Sequence, residues 1–499
     1  MDVVIFTCVS GILLQRSIGA YQLAHFLRVH GYTVQVIDFT DFIKQEDLKS
    51  LADKFINENT LAVGLSTTFY GYKESNIKLI NSDNDRYDFV GLPWGDFDFP
   101  ENVLTVMQYA KTKYPKIKLI AGGAKSETAK KNIPYLDVVI HGYAEDKFLD
   151  YLDNLKKNRK IIPINEPLYG PLELSHDPSV KKFSIENLDH KFLENDIILK
   201  NETLPLEISR GCIFKCKFCN FPMNGKNKFD YLRDPETIKD ELTYNYETFG
   251  ITNYYLTDDT FNDSTYKIEQ LHKAITSLPF KINFTTFLRL DLLHAHKEQI
   301  SMLDEMGLAS PFFGIESLNQ KSASIIGKGM NVDKAKEFLL ELYYIHWKKR
   351  MPITCSFIVG LPYETKDSIY NTYNWLKTTP LSSIFFPLAL IDKTIYKSEF
   401  NSNYKKFGYD FDEQTGYWKN DNFNLNEATE IAEKFNKELM RKENIPSSWV
   451  LMTLLNHGYT LEEATKIKMK DLRHIRILVH RERKVKEYRD RLFKLNTHI

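Results

Sequence analysis

Apolar residues recur along the first third of the chain in short β-branched runs separated by amphipathic stretches. Val3–Cys8, Thr33–Phe39, Leu61–Ser66, Lys118–Ala121 and Asp137–His141 are near-continuous apolar runs of strand length, the pattern of strands covered on both faces. Between them, Tyr21–His30, Gln45–Phe55, Asn102–Lys113 and Asp146–Lys156 carry apolar residues at helical spacing. Five strands alternating with helices predict a parallel, doubly wound α/β sheet of Rossmann or flavodoxin type. Ligands bind such sheets at the carboxyl ends of the strands. Those ends here carry Ser66-Thr67-Thr68, Gly122-Gly123 and His141-Gly142-Tyr143.

The rhythm then breaks. Residues of about 160–200 bear Pro163, Pro167, Pro171 and Pro178 and predict a surface linker. A second βα series begins at Leu204–Ser209 and continues with Asn253–Thr257, Lys281–Phe287, Pro311–Ile315, Ile353–Val359 and Ser383–Leu388 as strands. Helices are expected over Glu236–Thr248, Thr265–Ser277, Lys297–Met306, Val332–His346 and Lys366–Lys377. Six βα units fall short of an eight-fold barrel and predict a partial (β/α)6 TIM-type barrel, open on one side. From about Asp392 the pattern becomes helical and polar. The expected division is 1–160, a Rossmann-like domain; 161–203, a linker; 204–391, the partial barrel; and 392–499, a helical C-terminal domain.

Bulk composition narrows the function only by exclusion. With 66 basic and 66 acidic residues the net charge is zero, so the whole molecule is not an electrostatic nucleic-acid binder. Five cysteines, three of them clustered, make no disulfide framework and imply a reduced, cytoplasmic compartment. The start Met-Asp-Val-Val-Ile-Phe lacks a basic segment before its apolar residues and reads as a first strand. No apolar run is long enough for a membrane span, so no membrane partner is expected.

The chemistry concentrates at Cys212, Cys216 and Cys219, a C-x3-C-x2-C run within Ser-Arg-Gly-Cys-Ile-Phe-Lys-Cys-Lys-Phe-Cys-Asn. Three thiolates on one short loop suit three corners of a cubane iron–sulfur cluster. Structural zinc normally takes four ligands from two separated pairs, and no second C-x-x-C is present. Three thiolates leave one iron open to a substrate or cofactor. The loop follows the first barrel strand, which puts it at the catalytic end of a barrel. Later strands end in Asp258-Asp259-Thr260-Phe261, Arg289-Leu290-Asp291, Gly314-Ile315-Glu316-Ser317 and Gly360-Leu361-Pro362-Tyr363-Glu364-Thr365. One pocket at that end could collect them; glycines admit a ligand close to the backbone, while carboxylates suit ribose hydroxyls and an ammonium group.

Arg-Gly-Cys-x3-Cys-x-Phe-Cys, followed in order by Asp-Asp-Thr-Phe, Gly-Ile-Glu-Ser and Gly-Leu-Pro-x-Glu-Thr, resembles the radical S-adenosylmethionine superfamily over about 204–390. The preceding domain resembles the cobalamin-binding domain found before this core in one class. That second resemblance rests on Gly19-Ala20-Tyr21-Gln22-Leu23-Ala24-His25-Phe26-Leu27, Ala121-Gly122-Gly123 and Gly142-Tyr143-Ala144-Glu145. The resemblance implies a [4Fe–4S] cluster on Cys212, Cys216 and Cys219, with S-adenosylmethionine chelating the fourth iron. It further implies Phe218 beside the adenine, Glu316 and Ser317 toward the ribose or methionyl end, Arg289 toward the methionyl carboxylate, and the backbone of Gly360–Pro362 under the adenine. Asp258 stands as a cofactor-binding candidate or as a cap of the following helix. An outside one-electron donor, such as a flavodoxin or ferredoxin, would reduce the cluster, and cleavage of the sulfonium would give a 5′-deoxyadenosyl radical.

The implied outcome is cobalamin-dependent C-methylation or a related radical change at an unactivated C–H bond, on a small molecule, a nucleotide or a nucleic acid. Many cobalamin domains carry an Asp-x-His-x-x-Gly loop after the first strand; here Ser10-Gly11-Ile12-Leu13-Leu14-Gln15-Arg16-Ser17 has no histidine. Bound cobalamin, a relic and a substrate-side platform therefore all stay open, and with them a cobalamin-independent rearrangement, cyclisation, epimerisation or thiolation. Cys355, on a barrel strand, is a candidate hydrogen donor or a small core residue, and Cys8 reads as core. His141 would line a cofactor crevice or sit satisfied at the surface. Tyr254 and Tyr255 are strand neighbours, so only one can look into the barrel. Lys466–Lys494 holds twelve basic against four acidic residues. Arg473, Arg476, Arg483, Lys484, Arg489 and Arg491 would serve a nucleic-acid-binding module, or simply a solvated helix.

Overall fold

The computed structural model describes residues 1–9, 14–70, 99–157, 170–175, 184–219, 229–390, 398–413, 415–440, 447–467 and 474–496. Two parallel six-stranded sheets organise it. The first contains β1 (Val3–Phe6), β2 (Val34–Ile37), β3 (Ala62–Ser66), β4 (Lys118–Gly122), β5 (Val138–His141) and β6 (Leu172–Ser175), in the order β2-β1-β3-β4-β5-β6. This is the flavodoxin-like order, in which the chain reverses direction between β1 and β3. Strand β6 lies in the stretch read as a linker. Its alternating half-buried and exposed residues show why an apolar-run criterion misses an edge strand.

The second sheet runs β12-β11-β10-β9-β8-β7, from β7 (Thr203–Glu207), β8 (Asn253–Thr257), β9 (Asn283–Leu288) and β10 (Leu308–Glu316) to β11 (Thr354–Val359) and β12 (Ser382–Pro387). All neighbours pair in parallel, and β7 and β12 are its two ends, as a partial barrel requires. β10 begins earlier than its apolar pattern suggests, and its register shifts between Leu308 and Ser310 beside β9. The helix over Val332–Glu341 ends in a five-residue π-turn, Leu342–His346.

The C-terminal region completes the barrel. Helix Leu425–Met440 lies along β12, where the Asn436 amide accepts from Phe385 N at 2.8 Å and donates to Phe385 O at 2.9 Å. An edge strand's unpaired backbone is thereby satisfied by a side chain. Helix Ser448–Asn456 closes the amino-terminal end of the barrel. Ser448 Oγ meets Ser310 Oγ at 2.6 Å and Thr354 Oγ1 at 3.0 Å, and Asn456 Oδ1 accepts from Thr203 N at 3.0 Å.

The two sheets are tied together by buried charge. Arg16 reaches Glu202 through two bonds of 2.8 and 2.9 Å and also donates to the carbonyls of Asp196 and Ile197. Residues 10–13 of the loop examined for a cobalt-binding histidine lie outside the described residues, and Arg16 from the same loop serves this tether. The C-terminal helix His474–Lys494 returns to the first sheet. Tyr488 there donates no charge but packs fully buried, accepting from Asp38 N at 2.9 Å, while Arg489 pairs with Asp47 at 2.8 Å. Lys484 contacts the Asn456 carbonyl, and Arg491 pairs with Glu487 at 2.7 Å. Three of these contacts attach the helix to the rest of the chain, and Arg491–Glu487 lies within it; Arg473 and the side chain of Arg476 lie outside the described residues. No helix among the described residues is long and apolar enough to cross a membrane.

Candidate active site at the junction of two sheets

The cysteine loop leaves β7 exactly where a barrel presents its ligands. Arg210 N donates to Tyr231 O at 2.8 Å, fixing the start of the loop, and Gly211 turns it at φ 120°, a conformation costly for any residue with a Cβ. Cys212 is buried, its Sγ 3.5 Å from both Thr260 Oγ1 and Phe214 N; Cys216 receives Arg289 Nη1 at 3.5 Å. Burial pushes the Cys212 thiol up to about 11, against the pull of the Thr260 hydroxyl, which accepts from Sγ, and of the Phe214 N–H, which donates to it. Such a thiol ionises at neutral pH only when a cation takes the proton's place, and donors aimed at sulfur are what a thiolate ligand needs. The donor set therefore fits an iron–sulfur cluster. Cys216 and Cys219 are half-buried, with Cys219 N bonded to Cys216 O at 3.0 Å.

Arg289 is a fixed part of this wall. Asp291 grips it at 3.0 and 2.6 Å, Gly327 O accepts from it at 3.2 Å, and its guanidinium lies 4.0 Å over the Phe214 ring. Phe218 is half-buried and packs against the main apolar core. Asp258 is wholly engaged: Oδ1 accepts from Thr260 N at 2.9 Å and Oδ2 pairs with Lys267 at 2.6 Å. Its neighbour Asp259 is open to solvent yet ringed by protein, and desolvation followed by the Asp258 charge pushes its carboxyl up to about 7.

The far wall comes from β10 and β11. Glu316 adopts φ 67° where the β10–β11 register shifts. Its carboxylate contacts Ser356 Oγ at 3.4 Å, and burial raises its pKa although Lys328 opposes this. Ser317 turns away, donating to Glu364 Oε1 at 2.9 Å. Glu364 also accepts from Gly360 N at 3.1 Å, and burial holds its carboxyl up at about 8. Gly360 sits at φ 99° with Trp418 so close that a Cβ would lie 2.3 Å from its ring, and Tyr409 donates to Gly360 O at 2.7 Å. Pro362 O accepts from Ser322 Oγ at 2.8 Å. The loop Gly360–Pro362 is thus braced from both sides. Cys355 faces the opposite way from its neighbours Thr354 and Ser356, fully buried in the core, and burial raises its thiol far above the ordinary range.

Above this end lies the crevice of the first sheet, about 800 Å³ counting its open mouth. Gly19, Gly64, Gly122, Gly123 and Gly142 line it with backbone, and Tyr143, Glu207 and Arg210 close its barrel side. Arg210 joins the two regions: it pairs with Glu145 at 2.6 Å and Glu207 at 2.9 Å, bonds Gln22 at 3.3 Å and lies 4.6 Å over Tyr143. Arg210 stands within the cysteine motif, yet nothing in the sequence ties it to the crevice. Glu364 was likewise visible in the Gly-Leu-Pro-Tyr-Glu run, whereas nothing in the sequence around Trp418 ties it to Gly360. His141 is not among the residues that line this crevice and is not at the surface: it is buried, 3.1 Å from Glu173 and 3.0 Å from Ser126.

Residues 206–376 match the model of the radical SAM superfamily. An uncharacterized methyltransferase of Pyrococcus horikoshii is 25% identical over 304 residues, 57% of this chain and 63% of that protein. The bacteriochlorophyllide d C-8(2)-methyltransferase of Chlorobaculum tepidum is 23% identical over 270 residues, 52% of this chain and 56% of its own length. The chain thus spans less than two thirds of the curated relatives it matches. Among solved structures, the radical S-adenosylmethionine methyltransferase TsrM from Kitasatospora setae, with cobalamin and a [4Fe-4S] cluster bound, superposes with a TM-score of 0.62 at 14% identity, over 97% of this chain and 99% of that one. The cobalamin-dependent radical enzyme OxsB, with aqua-cobalamin and S-adenosylmethionine bound, gives 0.57 at 16% identity over 82% and 56%. Residues 206–376 thus resemble the radical SAM superfamily and follow a flavodoxin-like sheet, and the chain shares its fold with TsrM over 97% of its length.

Proposed function

We propose that this protein is a radical S-adenosylmethionine enzyme that modifies an unactivated C–H bond, most simply as a cobalamin-dependent C-methyltransferase. The observation that carries the reading is the junction itself. The cysteine loop and the glycine-lined crevice share one residue, Arg210, which touches the crevice two positions before Cys212. When bound, a [4Fe–4S] cluster supplies the electron that cleaves S-adenosylmethionine, and a corrinoid supplies a carrier for the methyl group.

The chain's own residues would do the holding. Cys212, Cys216 and Cys219 would ligate the cluster, and Arg289, fixed by Asp291, would place positive charge beside Cys216. Glu316 and the backbone of Gly360–Pro362 would receive the nucleoside, with Phe218 beside its base. Ser317 would act through Glu364, which it bonds, and Asp258 would position the loop bearing Thr260. The crevice glycines would admit a flat corrinoid tail against bare backbone. A first domain to about 160 and a barrel over 204–391 would remain the two working units, with β6 at Leu172–Ser175 added to the sheet of the first. Cytoplasmic placement is supported by five free cysteines, and the electron donor would be a flavodoxin or ferredoxin.

Protein reconstituted anaerobically with iron, sulfide and cobalamin should form both 5′-deoxyadenosine and S-adenosylhomocysteine when given a reductant and a competent substrate. Deoxyadenosine alone would favour cobalamin-independent chemistry, and neither product would overturn the reading.

A further inference from the structure

The inward faces of the barrel strands carry a chain of rings that the cofactor sites do not use. Tyr255 and Phe287 approach at 6.1 Å, Phe287 and Phe312 at 4.9 Å, and Phe312 and Trp449 at 5.8 Å with ring planes 21° apart. Phe386 completes the series 6.4 Å from Trp449. Four of the rings come from β8, β9, β10 and β12, and Trp449 enters from the helix that closes the barrel's amino-terminal end.

Rings that merely filled a core would be sealed. Their outward-facing strand neighbours are: Tyr254 and Phe284 are 1% exposed, Phe313 and Phe385 fully buried. Tyr255, Phe287, Phe386 and Trp449 are instead half-buried, while Phe312 between them is 6% exposed. The phenol of Tyr255 nevertheless feels strong desolvation, then the Asp259 charge, which together raise its pKa far above the ordinary range. Half-buried on the inner face of the barrel strands and joined ring to ring, these groups form a continuous aromatic wall that water can reach. At its carboxyl-terminal end stands Asp259, within electrostatic reach of Tyr255, of Cys212 on the cluster loop and of Tyr143 in the crevice.

We propose that the substrate lies along this aromatic wall and is a flat aromatic ring system carrying an ammonium or N–H group directed at Asp259. The proposal rests on the radical-enzyme reading and deepens it. Aromatic walls favour flat rings, which stack offset or edge-on against them, over saturated rings of equal bulk. A carboxylate in a protein-enclosed position favours a cationic or donor group as its partner.

Equilibrium dialysis of the full chain with 2-phenylethylamine and with 2-cyclohexylethylamine separates these contributions, since both are ammonium ions of equal bulk and only one is aromatic. 2-Phenylethylamine should bind about tenfold more tightly, the gain expected from one to three ring contacts. Trp449→Leu and Phe386→Leu should each erase most of that preference while far-UV circular dichroism stays unchanged. Asp259→Asn should weaken both amines alike. Equal binding of the two amines, no binding of either at millimolar concentration, or a preference that survives both leucine variants would overturn the proposal. None of these outcomes depends on cluster turnover. Protein that still forms 5′-deoxyadenosine yet shows no aromatic preference would sink this inference and leave the radical-enzyme reading standing.

Discussion

The two sheets of this molecule end their strands in opposite ways. The flavodoxin-like sheet ends in glycines and small residues, so its crevice is walled by backbone and apolar side chains and is free of charge until Arg210, Glu145 and Glu207 at its rim. The barrel ends in thiols, carboxylates and cations, each held by at least one neighbour: Cys216 by Arg289, Asp258 by Lys267, Ser317 by Glu364. A backbone-lined crevice can cradle a large flat group but has little with which to change it. A wall of fixed, partly desolvated charges can bias electron and proton positions at a reacting centre. The contrast assigns carriage to one sheet and chemistry to the other, with Arg210 as their shared side chain.

The sharpest way to break that division is at the thiols. Cys216→Ala should abolish cluster assembly, and with it all S-adenosylmethionine cleavage, while leaving cobalamin uptake by the crevice intact; iron content, product analysis and corrinoid absorbance read these separately. Loss of corrinoid binding as well would mean the two regions are not independent.

Arg210→Met comes next. It leaves Glu145 and Glu207 without their cation in a buried setting, which costs about 3–5 kcal/mol for such a pair. Denaturant unfolding should show that loss, and Arg210→Met with Glu145→Gln should recover part of it. A fully additive double variant would show that the bridge carries no coupling.

Gly360→Ala forces a Cβ into Trp418 at an unfavourable φ, an expected cost of about 3 kcal/mol from strain and overpacking together. Its affinity for S-adenosylmethionine should fall, and Trp418→Phe should restore some of it. An alanine variant with unchanged melting and affinity would remove this loop from the account.

Glu364 tests the smallest effect. Its carboxyl ionises near 8 in the folded chain against an ordinary 4.5, so between these values the native state binds more protons than the unfolded one. Stability must therefore fall as pH rises through that window. Glu364→Gln cannot ionise, and from pH 5 to 7 it should lose about 2 kcal/mol less than the wild type. Parallel melting curves for the two proteins would contradict this.

Much of the fold was legible because buried parallel strands leave continuous apolar runs. Val34–Ile37 and Thr354–Val359, with every residue buried, fall inside the strands read from sequence. β6 escaped because an edge strand alternates like a loop, and helix Ser448–Asn456 escaped because nothing local says it will plug a barrel. At the site, the three cysteines were legible because their spacing is itself the signal. Tyr254 and Tyr255 showed the limit: alternation says that one faces inward, and only Tyr255's contact with Phe287 says which. Trp418 and Trp449 were illegible because their partners lie far away in sequence, 58 and 137 residues back at Gly360 and Phe312. Long-range packing of that kind leaves no periodic trace.

The central claim is that three thiols hold an iron–sulfur cluster with one corner left for S-adenosylmethionine. Electron paramagnetic resonance of the anaerobically reconstituted, dithionite-reduced chain, recorded before and after S-adenosylmethionine is added, tests it most directly. A reduced-cluster signal that changes on addition is the predicted result; no signal, or one that ignores S-adenosylmethionine, would contradict it.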